Sequence, residues 1–158
     1  MKAAVYSGSF DPITLGHVDI IRRVQPFFQP LTVLVASAEG KQYFFSLEER
    51  VNLVKKSLDG LNVEVQACPG LVVDKARELG AQVLIRGLRG VSDFENERAM
   101  AQLNKKLAPE IETFFVFSSP EQAATSSRLV KEIARGGGAL EGLLPQPVIE
   151  ALKKRRVL

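Results

Sequence analysis

Five short apolar runs, each followed by a stretch with helical spacing, limit what this 158-residue chain can fold into. The runs span residues 3–6, 31–36, 63–67, 83–85 and 112–117. Their length and β-branched content read as buried strands. Between them, Val18, Ile20, Ile21 and Val24 fit one helical face. Ser46 and Glu49 form an S-x-x-E capping box ahead of Leu47, Val51, Val54 and Leu58. Residues 71–79 read as a helix stopped by Gly80. A second box, Ser92 and Glu95, predicts a helix to about Leu107. Residues 126–135 predict a helix with Leu129, Val130 and Ile133 inward, and Pro147 opens a last helix to about Arg155. Alternating strands and helices imply an α/β fold, a doubly wound five-stranded parallel sheet of Rossmann-like type. The expected organisation is one domain over residues 1–158, with a short helical end from about 139.

Composition excludes several classes. The net charge of +3 is too small and too scattered for a nucleic-acid surface. The dense cluster Lys153, Lys154, Arg155 and Arg156 closes a terminal helix, where it suits the negative end of the dipole. No apolar run approaches the roughly 20 residues that span a bilayer. The chain enters a strand at once, without a signal-peptide pattern, so a cytoplasmic location is expected and a membrane is not. One histidine and one cysteine, Cys68, leave no set for a disulfide or a structural zinc site. Cys68 reads as a small, half-buried hydrophobe.

In such sheets ligands sit beyond the carboxyl ends of the strands, where strand order reverses. Residues 7–9, 37–41, 68–72, 86–89 and 118–127 all follow strands and are expected to line one cleft. The first of these, Ser7-Gly8-Ser9, leads through an Asp11-Pro12 turn into a helix start at Gly16 and His17. Strand, glycine-bearing loop and helix N-terminus make an anion site. There the dipole disfavours protonation of His17, leaving a neutral hydrogen-bond donor that can take up a proton once a phosphate is bound. Lys41, Arg86, Arg89, Ser126 and Ser127 follow other strands, and their convergence points to phosphate.

The string GSFDPITLGH, residues 8–17, resembles the signature of the nucleotidylyltransferase superfamily, whose members carry (H/T)xGH after the first strand. With Thr14 in the variable place, T-L-G-H looks like the phosphopantetheine adenylyltransferases. Nicotinate-nucleotide adenylyltransferases and cytidylyltransferases usually have a second histidine there. IRGLRGVSDFENE, residues 85–97, and SSRLVKEIAR, residues 126–135, look like motifs of the same family and follow in the expected order.

The resemblance implies adenylyl transfer from ATP to 4′-phosphopantetheine, giving dephospho-coenzyme A and pyrophosphate. It also implies Mg²⁺ held mainly through the ATP phosphates, a homohexamer, and coenzyme A as a candidate inhibitor. By the same resemblance His17 is the transition-state stabiliser at the α-phosphate, with Lys41 and Arg89 also catalytic. ATP falls to Ser9, Phe10, His17, Gly87, Leu88, Arg89, Glu97, Gln122, Ala123, Ala124, Thr125, Ser126, Ser127 and Arg128. The acceptor falls to Ser9, Lys41, Val72 and Arg86. Apart from the resemblance, Asp11 is a candidate indirect Mg²⁺ partner, the alternative being an ion held mainly by ATP oxygens and water. The chain departs from the family pattern at Ser7, Leu15, Asn96, Gln122, Ala124, Thr125 and Arg128. Rival readings are an adenylyltransferase for nicotinamide or nicotinate mononucleotide, opposed by Thr14 and R-G-L-R, and a nucleotide-binding module without chemistry. Against the module stands the set His17, Lys41, Arg86 and Arg89, since binding alone would not need all four.

Overall fold

The computed structural model describes residues 1–155. Its elements run β1 (Lys2–Gly8), α1 (Leu15–Val24), β2 (Phe28–Ala36), α2 (Leu47–Ser57), β3 (Glu64–Cys68), α3 (Val72–Glu78), β4 (Val83–Leu88), α4 (Val91–Leu107), β5 (Glu112–Phe117), α5 (Ser127–Arg135) and α6 (Gln146–Lys154). The five strands form one sheet in the order β3-β2-β1-β4-β5, and every pairing is parallel. The chain steps outward from β1 through β2 to β3, then crosses back to β4 on the other side. The reversal therefore lies between β1 and β4, which pair Ala4 with Val83 and Tyr6 with Ile85.

Strand residues alternate between two cores, as a period of two requires. Ala4, Tyr6, Val33, Val35, Val83 and Ile85 face α1, α2, α5 and α6. Val5, Leu34 and Leu84 face a smaller cluster with Val73 and Ala76 of α3. Cys68 is fully buried in that second cluster rather than half-buried.

Four local expectations shift. β4 does not stop at Ile85: the ladder continues to Leu88, so Arg86 and Gly87 are strand residues paired with Phe115 and Val116. The inward stripe of α5 is Val130 and Ala134, leaving Leu129 and Ile133 40% and 37% exposed. Helix α4 begins before the expected Ser92 start, with extended Gly90 as the N-cap. Asp93, three residues on, reaches back to the Arg89 N–H at 3.2 Å, and Glu95 pairs with Arg98. The Ser46–Glu49 box forms as read. The basic cluster ends α6 with Lys153 and Lys154, and Arg156 lies outside the described residues. No helix among the described residues is long and apolar enough to cross a membrane.

Candidate active site

A cleft of about 1000 Å³ opens at the carboxyl ends of the strands, over the β1/β4 reversal. Ser9, Phe10, His17, Lys41, Arg86, Gly87, Arg89, Glu97, Ala123, Ala124, Thr125, Ser126, Ser127 and Arg128 all line it. Val72, Leu88 and Gln122 do not. Val72 opens α3 after the edge strand β3, two strands from β1, and packs against the second core. The segment 68–72 therefore does not join the other four loops. The Leu88 side chain is buried beneath the strand end. Gln122 sits in a 3₁₀ turn (Pro120–Gln122), where its Oε1 accepts from the Thr125 hydroxyl at 3.4 Å.

The T-L-G-H string works as a reciprocal cap. Thr14 is the N-cap of α1, and its Oγ1 accepts the His17 N–H at 3.4 Å. In return the Thr14 N–H donates to His17 Nδ1 at 3.0 Å. This is a capping box with histidine where glutamate usually stands. An amide N–H can only donate, so Nδ1 is the acceptor and the neutral ring carries its proton on Nε2. The ring edge also packs on Phe10 at 5.1 Å between centroids. Burial, then the positive charges of Arg89 and Arg86, hold the His17 pKa down at about 4. At neutral pH His17 is thus a fixed, neutral donor.

Two of the cleft arginines, Arg86 and Arg89, are held by α4. Arg86 Nε and Nη2 each donate to Glu97 at 2.6 Å, and Nη1 donates to the Ser7 carbonyl at 2.5 Å and to its hydroxyl at 3.0 Å. Burial works against the Arg86 charge, but the Glu97 hydrogen bonds and charge outweigh it and raise the pKa. Arg89 donates to Asp93 at 2.9 and 3.0 Å. Asp93 and Glu97 are one turn apart, so a single helix face sets both guanidiniums. Glu97, read as an ATP ligand, is here the partner of Arg86. Space at Gly87 is tight: a Cβ there would lie 2.6 Å from Ile20 Cδ1 of α1 and 3.2 Å from the Tyr6 hydroxyl, so Ile20 would have to move to admit a side chain.

Lys41 is exposed, with Nζ 3.5 Å from Ser9 Oγ and 5.4 Å from the centre of the Tyr43 ring. Ser126 caps α5 by accepting the Leu129 N–H at 3.1 Å. Ser127 Oγ donates to the Pro12 carbonyl at 2.8 Å, tying α5 to the first loop. Asp11 is buried and committed: it accepts the Phe44 and Phe45 N–H groups at 2.8 and 2.9 Å and pairs with Lys131 at 3.0 Å. The sequence reading missed Thr14 as the orienter of His17, and missed Asp93, Lys131 and the buried Arg50. The T-x-x-H spacing was the available signal for the first.

A five-stranded parallel sheet with a cation-lined cleft at its switch point defines a nucleotide-handling α/β domain, and the family model described as cytidylyltransferase-like matches residues 5–133. A solved structure from Vibrio parahaemolyticus, described as a nicotinate-nucleotide adenylyltransferase, superposes with a TM-score of 0.74 over 99% of this chain and 95% of that one; at 16% identity the likeness speaks to the fold. In sequence, the chain is 54% identical to the phosphopantetheine adenylyltransferase of Bdellovibrio bacteriovorus, covering 98% of this chain and 97% of that one. It is 52% identical to the enzyme of that name from Desulforudis audaxviator (98% and 96%) and 51% to that from Thioalkalivibrio sulfidiphilus (96% and 96%). The chain therefore belongs to the cytidylyltransferase-like family and, within it, to the phosphopantetheine adenylyltransferases.

Proposed function

We propose that the chain transfers the adenylyl group of ATP to 4′-phosphopantetheine, releasing pyrophosphate and forming dephospho-coenzyme A. A phosphate oxygen of the acceptor attacks the α-phosphorus of ATP. The bond from that phosphorus to the bridging β-phosphate oxygen breaks, and pyrophosphate carries away the electron pair. The nucleophile is already an anion, so no general base is needed. The difficulty is to align two polyanions and stabilise a charge-rich transition state. The observation that carries this reading is His17, a neutral donor of fixed tautomer, in one cleft with Lys41, Arg86 and Arg89. His17 would stabilise the α-phosphate in the transition state, supported by Arg89. Lys41 and Arg86 would hold the acceptor phosphate. Phe10, Glu97 and residues 123–128 would form the ATP side, and Ser9 would lie between the two substrates.

Incubating the protein with ATP and either 4′-phosphopantetheine or nicotinate mononucleotide, and measuring pyrophosphate, tests the assignment. Release with the first acceptor alone is expected; release only with the mononucleotide overturns it. Lys41→Ala is expected to raise the KM for 4′-phosphopantetheine about tenfold by removing a charge-assisted phosphate contact. Its ATP KM should change less, and initial-rate kinetics read the difference.

The carboxylates of the cleft do not fit a resident magnesium ion. Asp11, Asp93 and Glu97 are each paired with a cation, and no group of three His, Cys, Asp or Glu among the described residues could hold a metal. Magnesium enters this reading with ATP, on the phosphate oxygens and water. The proposal extends to a cytoplasmic homohexamer inhibited by coenzyme A. In support of assembly, α4 leaves Met100, Leu103 and Leu107 more than half exposed, and the edge strand β5 exposes Phe117 at 62%. Light scattering should give about six times the 17.3 kDa chain mass.

A further inference from the structure

Arg50 is the largest fully buried side chain of the described residues, 1% exposed, and the adenylyl-transfer scheme assigns it nothing. No carboxylate lies within salt-bridge distance of it among the described residues. Its guanidinium is spent mainly on backbone carbonyls, with Nη2 donating to the Ser37 hydroxyl at 3.4 Å. Nη1 donates at 2.7 Å to the Ser9 carbonyl and at 2.7 Å to the Ala36 carbonyl, and Nε donates at 3.2 Å to the Phe45 carbonyl. The Tyr43 ring covers its charge at 3.9 Å. These carbonyls belong to the exits of β1 and β2 and to the entry of α2.

The Ser9 contact has a consequence for the next amide. Phe10 is the one described residue other than glycine with a positive φ, at 47°, a conformation a side chain rarely adopts unless its surroundings impose it. Two anchors impose it here. The Phe10 ring is buried between Tyr6 and His17, at 5.7 and 5.1 Å, and the carbonyl before it is held by Arg50. In a trans peptide the C=O and N–H point to opposite sides. With the Ser9 carbonyl drawn down to Arg50, the Phe10 N–H faces away from the core, and Phe10 lines the cleft. That N–H has no partner among the described residues.

We infer that Arg50 is a positioning residue: by gripping the Ser9 carbonyl it turns the Ser9–Phe10 peptide so that the Phe10 N–H is presented to a phosphate in the cleft. The kinetic consequence rests on the adenylyl-transfer reading; the orientation of the amide does not. Lysine cannot replace the fork, since it offers a point charge rather than donors fixed in a plane.

The test uses inorganic pyrophosphate as the probe and the ¹H–¹⁵N spectrum of the full chain. In the wild type, pyrophosphate is expected to move the Phe10 amide peak downfield. In Arg50→Lys and in Arg50→Gln that peak should stay, while amides at the start of α5 still respond. In the same variants the ATP KM should rise roughly 10- to 100-fold, as for loss of a hydrogen bond to a charged group, and the acceptor KM should rise less. A folded variant with the wild-type Phe10 response and wild-type ATP KM overturns the inference. If neither variant folds, the wild-type spectrum decides: a Phe10 amide indifferent to pyrophosphate overturns it, and one that moves supports it. If wild-type turnover is absent with every acceptor, the function reading fails while the amide response still judges Arg50.

Discussion

His17→Ala is expected to lower kcat by about 100- to 1,000-fold, the usual loss when one preorganised donor to a developing charge is removed. The fold should survive. Thr14 Oγ1 caps the backbone N–H of residue 17, a bond alanine retains, while the Thr14 N–H and hydroxyl lose Nδ1 as a partner and Phe10 loses a ring contact. Circular dichroism should therefore match the wild type while pyrophosphate release collapses; near-normal turnover in the folded variant refutes the role. The pH dependence follows from the same geometry. Burial and the two arginines hold the His17 pKa at about 4, against 6.5 in an unfolded chain. Above pH 6.5 both states carry a neutral ring and the group adds nothing to the pH slope. As pH falls from 6.5 towards 4 the unfolded state takes up the proton first, so stability drops through that window. Thermal melts of His17→Ala should lack this component and fall less steeply on acidification. Wild-type kcat/KM, which reports groups of the free enzyme, should show no His17 titration near pH 6.5.

How much of this was legible in the sequence depended on whether the signal was periodic or spatial. Length and β-branched content marked β1, β2 and β4 as buried strands, as the two cores on either side of them require, and Ser46-x-x-Glu49 marked a helix start that forms as read. β4 was read short because its apolar run ends at Ile85, yet the ladder needs only backbone, and Arg86 to Leu88 continue it. Ser92-x-x-Glu95 matched a cap pattern, but an extended glycine two residues earlier took the position. Segment 68–72 was expected in the cleft because it follows a strand, whereas Val72 itself was given to the acceptor by resemblance. Position along the chain does not give the lateral order of strands, and β3 proved to be the outer one. The carboxylates that hold Arg86 and Arg89 were in plain view as Asp93 and Glu97. Their pairing needed the direction of α4, which no local pattern encodes. Arg50 follows Glu48 and Glu49 in a charged stretch that reads as a solvated face, and only the packed structure shows it buried.

Asp11→Ala is expected to destabilise the protein by about 3 kcal/mol, since it strands Lys131 and two backbone N–H groups at a buried position. For a chain of this length that corresponds to a fall in Tm of roughly 6–12 °C. The carboxylate accepts from Phe44 and Phe45 and pairs with α5, so it ties the first loop, the segment that carries Lys41 and the helix that follows β5. Asp11→Asn separates charge from shape. An amide offers one acceptor oxygen where two N–H groups converge, and its NH₂ turns a donor towards a donor. Its Tm should therefore also fall. Freed at Phe44, the Lys41 segment should hold the acceptor phosphate less well, raising the KM for 4′-phosphopantetheine with a smaller change for ATP. The magnesium concentration giving half-maximal rate should stay where it is, because all three of Asp11's contacts are to nitrogen donors of the chain itself. An Asp11→Asn enzyme with wild-type Tm and a raised magnesium requirement would reverse the assignment and make Asp11 a metal partner.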